Sequence, residues 1–455
     1  MRWQTFRLIS IYAALSAITN FPSGFTNSSV NTAVEKLHKF IATSLSQDGQ
    51  PVDENTIALF QSATLNCWFV AQIFGSIMTP MISDRFGRKV GYIVCVLTTI
   101  LATLVQYFSM CFYMPWGLIF GRSLTALVSP LGDACLLLYV QETSPLEIRG
   151  MSSFLCEIGY GTMCVLGMVL GMKSVLGESL SRLLLLSLIP LVFSFFFVAR
   201  IPETPKFLMI MRGNREKAMQ SLEYFQGVSS DNYHILNEYQ AERMTENSCK
   251  DSTFLELLSK WHLRQAMRLA LATLSLTLSF YPILQSSTYF LLESGVSVTV
   301  AQWCSTLAQV VLTLSSIFGA SIIDRYSRRK LLIGFGIASN ILLVSFAFFS
   351  HLSATVVYRN SWPMFACLAS LLTYCVSFGM VLGPLSWFVA PELVSQRHRC
   401  TIFSACFAIH NLLIALTDFA TIPLFRKALI KQLNNLWHDF ESMLGSPDVC
   451  NLPAC

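Results

Sequence analysis

The sequence predicts an all-helical membrane protein built from two related halves. Of its 455 residues, 53% are hydrophobic and only 13% are charged, which excludes an ordinary soluble enzyme. Apolar stretches of about 20 residues, long enough to cross a ~30 Å hydrocarbon core, recur along the chain. The turn at residues 84–89 (DRFGRK) lies between two such stretches, and a similar turn returns at residues 324–330 (DRYSRRK). A basic turn repeated at matching places indicates a duplicated membrane transporter.

Eleven apolar stretches predict membrane-spanning helices, six before residue 201 and five after residue 265. The stretch at residues 183–198 is typical, because it has no polar face of the kind that a helix in a large soluble core would show. The predicted spans are residues 8–28, 62–83, 90–110, 116–140, 152–173, 181–200, 266–291, 300–323, 331–350, 363–390 and 402–425.

These spans divide the chain into four parts. The predicted parts are an N-terminal six-helix bundle (1–200), a loop with short amphipathic helices (201–265), a C-terminal helix bundle (266–425) and a polar amphipathic tail (426–455). Lys and Arg concentrate in the turns 84–89 and 324–330 and in the long loop, so the positive-inside rule places these and the N-terminus in the cytosol. The plasma membrane is the expected location. No twelfth spanning stretch is evident, so that helix is expected to be missing or atypical.

The remaining composition argues against other function classes. The 14 cysteines show no metal-ligand spacing, and the sequence contains neither a phosphate-binding loop nor a nucleophile–base constellation. We therefore expect no enzymatic activity, no cofactor and no metal. The net charge of +5 does not indicate nucleic-acid binding, because the basic residues concentrate at helix ends and in one loop. The expected partners are a small solute and the lipid bilayer.

Six short motifs occur in an order that is typical of one family. The motifs are Asp84-Arg85-Phe86-Gly87-Arg88, Gly121-Arg122, Glu142-Thr143-Ser144-Pro145 with Arg149-Gly150, Pro202-Glu203-Thr204-Pro205-Lys206-Phe207-Leu208, Asp324-Arg325 with Arg328-Arg329, and Pro391-Glu392 with Arg399. Over residues 20–425 the chain resembles the sugar porter family of the major facilitator superfamily, most closely the animal facilitative glucose and fructose transporters. The resemblance implies a major facilitator fold, two six-helix bundles and uniport of a hexose by alternating access.

The resemblance also implies a gate of charged residues at the cytosolic helix ends. The implied pairs are Arg88 and Arg149 with Glu392 or its neighbours, and Arg328 with Glu203 or Glu142. An exposed pair contributes only ~0–1 kcal/mol, but a network of pairs can bias a two-state equilibrium. The alternative is that these residues only anchor the topology. Arg122 lies just inside a helix, so a partner such as Glu142 or backbone carbonyls is expected.

The implied substrate site departs from the family pattern at several positions. The family's helix-five glutamine falls on Glu157, and its helix-eleven asparagine falls on His410, as in fructose-type members. The cavity tryptophan is retained as Trp387. The residues predicted to bind the solute are Glu157, Tyr281, Gln285, Ser286, Trp387, His410, Asn411 and Asp133. A mostly apolar pocket with few polar groups is the alternative.

Two acidic residues inside predicted spans are candidates for function. A charge at the centre of a membrane helix costs ~2.5–3.5 kcal/mol, so Asp133 and Glu157 are expected to bind a proton, a cation or sugar hydroxyls. The alternative is that they are protonated or paired with Arg122 as structural contacts. The helix-one position that carries an aspartate in proton-coupled sugar porters falls on Thr26, which favours uniport. The rivals are a proton-coupled or organic-cation carrier and a non-transporting solute sensor.

One further motif concerns modification. Asn27-Ser28-Ser29 fits the acceptor pattern for N-linked glycosylation. The triplet lies at the end of the first predicted span, which is too near the bilayer for modification to be expected.

Overall fold

Helices account for nearly all of the chain that the structure describes. The computed structural model describes residues 2–46, 53–145, 148–229, 231–246, 254–281, 283, 288, 297–323, 326–356, 362–394 and 398–418. Within these ranges the backbone forms helices and short turns and no β-strand. The predicted all-α class is therefore confirmed. The polar tail and the position of a twelfth helix lie outside the described residues.

The first half contains the helices up to residue 200, and four short helices follow it. These helices are α1 (Arg2–Asn20), α2 (Thr26–Thr32), α3 (Val34–Leu45), α4 (Glu54–Phe86), α5 (Arg88–Cys111), α6 (Pro115–Thr143), α7 (Arg149–Gly171), α8 (Leu180–Arg200), α9 (Pro205–Ile210), α10 (Arg215–Gln226), α11 (Asp231–Glu246) and α12 (Phe254–Ser259). Helices α1 and α2 are joined without a break by a π-helical turn at Phe21–Phe25.

The second half contains six helices in its described residues. They are α13 (Trp261–Ser275), α14 (Val298–Ile322), α15 (Arg328–Val356), α16 (Trp362–Ser377), α17 (Gly383–Glu392) and α18 (His398–Asp418). A second π-helical turn, at Phe378–Leu382, joins α16 to α17. π-Helical turns are rare and frequently lie at functional sites, which makes both turns informative about where a ligand binds.

Ten helices in the described ranges are long and apolar enough to cross a membrane, one fewer than the eleven predicted. The exception is the predicted span 266–291. Helix α13 ends at Ser275, and residues 276–279 form turns. The hydroxyls of Ser275 and Thr277 donate to the carbonyl oxygens of Ala272 and Leu274, three residues back in the chain. The rest of the predicted span continues into residues that the structure does not describe.

Close packing in the first half depends on small residues. Helix α4 packs on α6 at Gly75, where an added Cβ would collide with the backbone of Leu127. Helix α7 approaches α1 and α2 at Gly159, Gly167 and Gly171, where an added Cβ would meet side-chain and backbone atoms of those helices. Small residues allow membrane helices to pack closely, as they do here.

The outer surface of the bundle is apolar. Met81, Phe193 and Val344 each expose 70% or more of their side chains, although they lie in the middle or last third of long helices. Large apolar residues in contact with water would be costly, whereas the same residues in contact with lipid are not. The surface therefore fits a multi-pass membrane protein.

Candidate functional site

A cavity of about 160 Å³ lies between the two halves, near the middle of the long helices. Both π-helical turns border it, through Ser23 in the first and Phe378 in the second. The cavity is lined by Asn20, Ser23, Asn27, Ser28, Trp68, Phe69, Gln72, Ser129, Asp133, Leu136, Leu137, Cys156, Glu157, Tyr160, Cys164, Phe280, Tyr281, Phe378, Pro384, Trp387, Phe403, Phe407 and Asn411. Both halves contribute to this lining, as a solute-binding site between moving halves requires.

Three lining amides use their NH2 groups within the protein. Asn20 Nδ2 donates to the carbonyl oxygens of Ser16 and Cys156, at 2.9 and 3.0 Å. Gln72 Nε2 donates to Ser129 Oγ at 3.2 Å. Asn411 Nδ2 donates to the carbonyl oxygen of its own helix four residues back, at 2.9 Å. The oxygen of each amide is left without a hydrogen-bond partner among the described residues.

Two carboxylates face the same cavity. Glu157 has no hydrogen-bond or ion-pair partner in the described part of the chain, and a Cβ added at Gly383 would lie 2.9 Å from its Oε1 atom. The absence of a side chain at Gly383 therefore leaves room for this carboxylate beside α17. Asp133 lies beside the Ser129 hydroxyl, close enough to interact with it. The hydroxyl of Tyr281 lies within electrostatic range of both acids.

Aromatic rings form the wall of the cavity on the second-half side. The Trp387 ring centroid lies 5.1 Å from that of Phe407 and 5.2 Å from that of His410. Tyr281 lies edge-on to His410 and to Phe69, at 5.7 and 6.0 Å. Aromatic faces of this kind can stack on a sugar ring or attract a cation.

The structure brings most of the predicted solute-binding residues together. Five of them line the cavity, namely Glu157, Tyr281, Trp387, Asn411 and Asp133. His410 lies behind the wall, 1% exposed, with Nε2 3.4 Å from Thr277 Oγ1. Gln285 and Ser286 lie outside the described residues.

Sequence reasoning missed six Asn, Gln and Ser residues of the lining. They are Asn20, Ser23, Asn27, Ser28, Gln72 and Ser129. The spacing of Asn20, Ser23 and Asn27 places them on one face of a helical segment, and a polar face inside an apolar span is a signal that could have revealed them.

Arg122 is 1% exposed and is held by neutral partners. Its Nε donates to the carbonyl oxygen of Thr64 at 2.9 Å, and its Nη2 donates to Asn27 Oδ1 at 2.8 Å. Backbone carbonyls were one predicted partner, but the other, Glu142, is wrong because it lies at the far end of α6. The side-chain partner of the arginine is Asn27, which the sequence analysis did not name.

The end of the first half that carries residues 84–89, here called the basic end, holds a polar network. Arg88 Nη2 lies 2.9 Å from Glu142 Oε1, and Arg88 Nη1 lies 3.8 Å from Asp84. The other oxygen of Glu142 accepts a hydrogen bond from the Thr204 hydroxyl. Arg88 and Glu142 are 6% and 3% exposed, so this is a buried pair rather than a surface contact.

Arg88 and Glu142, each expected to pair with a residue of the second half, pair with each other within the first half. The reason is geometric, since Arg88 begins α5 and Glu142 ends the adjacent α6. The side chain of Glu392 lies outside the described residues, so the expected pairs of Arg88 with Glu392 or its neighbours and of Arg328 with Glu203 or Glu142 stay predictions.

Glu203 follows α8 and caps the turn at residues 84–89. Its carboxylate accepts hydrogen bonds from the backbone N–H of Lys89 at 3.0 Å and of Thr204 at 2.8 Å. Burial raises the pKa of Glu203 above its ordinary value, while these N–H groups oppose the shift. Gly87, with φ +106°, makes the turn possible, because an added Cβ would be strained and would meet the Glu203 carboxylate.

The remaining predicted gating residues are described only in part. Asp324 and Arg325 lie outside the described residues, as do the side chains of Arg149 and Glu392. Arg328 begins α15 and Arg399 lies in the first turn of α18, both at the basic end. Arg85 is exposed and lies over the ring of Phe86, 5.6 Å from its centroid.

The two halves contact each other on both sides of the cavity. At the basic end, Phe154 of α7 packs with Ile323, Leu331 and Leu385 of the second half. At the opposite end, Gln302 Nε2 donates to the carbonyl oxygen of Thr32 at 2.7 Å. The cavity thus lies between two sets of contacts that join the halves.

Comparison with known proteins identifies the family. A sequence profile of the family described as sugar (and other) transporter matches residues 8–430. The chain belongs to the sugar transporter family. This membership confirms the resemblance drawn from the motifs, and it confirms that the chain is not an enzyme, because the family consists of transporters.

Curated relatives agree with this assignment. Facilitated glucose transporter member 3 of Ovis aries is 27% identical over 395 residues, covering 85% of this chain and 78% of the relative. Facilitated glucose transporter member 9 of Mus musculus is 26% identical over 426 residues, covering 90% of this chain and 76% of the relative. The chain is thus similar to both members along most of its length.

Solved structures show the same fold. The proton:xylose symporter XylE, bound to 6-bromo-6-deoxy-D-glucose, superimposes with a TM-score of 0.75 at 16% identity, covering 93% of this chain and 90% of that chain. The inward-open conformation of the xylose transporter XylE from E. coli superimposes with a TM-score of 0.66 at 15% identity, covering 91% and 89%. The predicted major facilitator fold is therefore confirmed.

Proposed function

We propose that this protein is a uniporter that moves a small hydroxylated solute of the hexose class across the membrane by alternating access. The observation that carries the proposal is the cavity between the halves, lined from both sides by hydrogen-bonding amides and by the Trp387 ring. Amides bind sugar hydroxyls and an aromatic face packs on the sugar ring, so the site suits such a solute. The names of the glucose transporter relatives support the same solute class.

The Arg122–Asn27 contact favours uniport. An asparagine cannot take up a proton, so this buried pair keeps its charge throughout a transport cycle. An aspartate at the same place would form an ion pair that protonation could break. Proton-coupled transport is the second candidate, and the two carboxylates in the cavity, Asp133 and Glu157, are the observation that favours it.

We propose that the protein lies in the plasma membrane with its basic end in the cytosol. The polar network at this end is proposed to stabilise the cytosolic contacts between the halves. The positive-inside rule supports this orientation, since the turn at residues 84–89 and the loop after α8 are basic. The Arg88–Glu142 pair fixes the ends of α5 and α6 together, so the first half can move as a unit against the second.

Uptake into proteoliposomes that contain the purified full chain tests the proposal. We expect saturable uptake of labelled hexose that stops when inside and outside concentrations are equal, and that an imposed pH gradient does not change. Accumulation against the sugar gradient, driven by protons, would replace uniport with symport. No uptake of any sugar, amine or polyol in a broad panel would favour a solute sensor instead.

A designed variant separates uniport from symport at one position. Asn27→Asp places a titratable group against Arg122, so its hexose uptake is expected to become dependent on pH while the wild type stays indifferent. Asn27→Ser is the matched control, because it keeps the position polar without adding a titratable group. Equal pH dependence in all three proteins would show that this contact does not determine coupling.

A further inference from the structure

The cavity offers more hydrogen-bond acceptors than donors. The amides of Asn20, Gln72 and Asn411 belong to its lining, and each NH2 group donates at least one hydrogen bond within the protein, whereas the oxygens accept none. All three side chains are more than 90% buried, and these oxygens have no partner in the described part of the chain. A buried acceptor without a donor costs about 1–3 kcal/mol, so each oxygen favours a ligand that donates to it.

The charges around the cavity have one sign. Glu157 and Asp133 line it, and no Lys or Arg does so among the residues that the structure describes. The buried guanidinium of Arg122 is turned to Asn27 and to the Thr64 carbonyl oxygen instead. The donors that the lining retains are the Asn27 amide, the second N–H of Gln72 and of Asn411, and the hydroxyl and indole groups of its aromatic residues.

A neutral hexose does not fully meet this chemistry. Its hydroxyls can donate to the amide oxygens, but they bring no positive charge to the carboxyl group of Glu157. An ammonium group supplies three donors, accepts none and carries the opposite charge. The faces of Trp387 and Tyr281 beside the carboxylates would attract the same cation.

We infer that the cavity prefers a sugar that bears a protonated amine, such as a 2-amino-2-deoxyhexose, over the corresponding neutral hexose. The amine would pair with Glu157 while the hydroxyls donate to the amide oxygens of both halves. This inference rests on the proposed function, because it names the solute class of the same transport site.

Competition against labelled glucose uptake in proteoliposomes of the full chain tests the inference. The competitors are glucose, glucosamine and N-acetylglucosamine, the last of which carries the same nitrogen without its charge. We expect glucosamine to inhibit at a concentration about tenfold lower than glucose, the gain typical of a hydrogen bond to a charged group. This advantage should fall as the pH rises past about 8, where an amine of this kind loses its proton.

A variant assigns the effect to one side chain. Glu157→Gln keeps an acceptor oxygen and removes the charge, so it should abolish the advantage of glucosamine over glucose, measured as the ratio of the two inhibition constants in one preparation. Glu178→Gln is the matched control, because Glu178 is exposed at the end of the bundle and undergoes the same chemical change. Should Glu157→Gln fail to fold, Asp133→Asn and the pH series of the wild type test whether the advantage depends on the attraction between a cavity carboxylate and the protonated amine.

The outcomes separate the two proposals. Equal inhibition by glucose and glucosamine, or an advantage that survives in both Glu157→Gln and Asp133→Asn, would overturn the inference while hexose transport stands. The absence of uptake for both labelled glucose and labelled glucosamine would overturn the proposed function itself.

Discussion

The basic end and the central cavity use polar side chains in opposite ways. At the basic end, Arg88, Glu142 and Glu203 each form a hydrogen bond or an ion pair with a neighbouring element of the protein. In the cavity, Glu157 and the oxygen of Asn411 line the wall and have no partner among the described residues. Both regions lie within the same bundle of helices.

The contrast separates stability from binding. A buried polar group with a protein partner fixes the elements that carry it, and its removal leaves that partner without compensation. A buried group without a protein partner instead reserves its hydrogen-bonding capacity for a ligand, at a cost to the empty protein. Substitutions at the basic end should therefore change unfolding, and substitutions in the cavity should change transport.

The largest effect is expected from Arg88→Ala. Loss of the guanidinium leaves the carboxylate of Glu142 buried and unpaired, which should lower the free energy of unfolding by about 3–5 kcal/mol. Thermal unfolding in detergent measures this loss. The double variant Arg88→Met with Glu142→Leu should recover most of it, because no buried charge remains. Losses that simply add in the double variant would show that the pair is not coupled.

Asn411→Ala should have a smaller effect, and on transport rather than on stability. It removes an acceptor oxygen from the cavity, so the KM for the solute is expected to rise about five- to tenfold at unchanged kcat. Uptake kinetics and thermal unfolding of the same preparation make the comparison. A large fall in unfolding temperature with an unchanged KM would mean that Asn411 belongs with the structural groups.

Glu203 provides a test that depends on pH. Its folded pKa is raised, so the folded state holds the proton more tightly than the unfolded state does. The stability that this group contributes is therefore complete below its ordinary pKa and declines as the pH rises through the folded value. Glu203→Gln cannot ionise and should flatten this part of the stability profile. Parallel profiles for wild type and variant would contradict the assignment.

Lys39→Ala is expected to change stability the least of these variants. Lys39 and Glu35 form an ion pair one turn apart on α3, at 2.6 Å, but their side chains are 61% and 39% exposed. The lysine lowers the pKa of Glu35 through this bond. An exposed helical pair is worth only about 0.3–0.5 kcal/mol, so the unfolding temperature should hardly move. A loss as large as that of Arg88→Ala would remove the distinction between buried and exposed pairs.

Much of the fold could be predicted because hydropathy is a local property. Ten of the eleven predicted spans coincide with helices of sufficient length. The seventh, 266–291, is described only in part.

The sequence predicted several residues that line the site, but it did not predict which side chains contact one another. Glu157, Trp387 and Asn411 were assigned to the cavity and line it, because their positions within helices follow from the family motifs. The expected partners of Arg122 were Glu142 or backbone carbonyls, and its side-chain partner Asn27, 95 positions away, was not foreseen. The pairing of Arg88 with Glu142 joins residues 54 positions apart, a proximity that no sequence spacing reveals.

The position of Asn27 also bears on how the protein matures. Asn27-Ser28-Ser29 is the one Asn-X-Ser/Thr triplet in the sequence, and its asparagine lies against Arg122 and lines the cavity. A bulky glycan attached there would separate Asn27 from Arg122 and fill the space between the halves. The folded helix thus holds its acceptor asparagine against Arg122, so attachment of a glycan and this contact exclude each other.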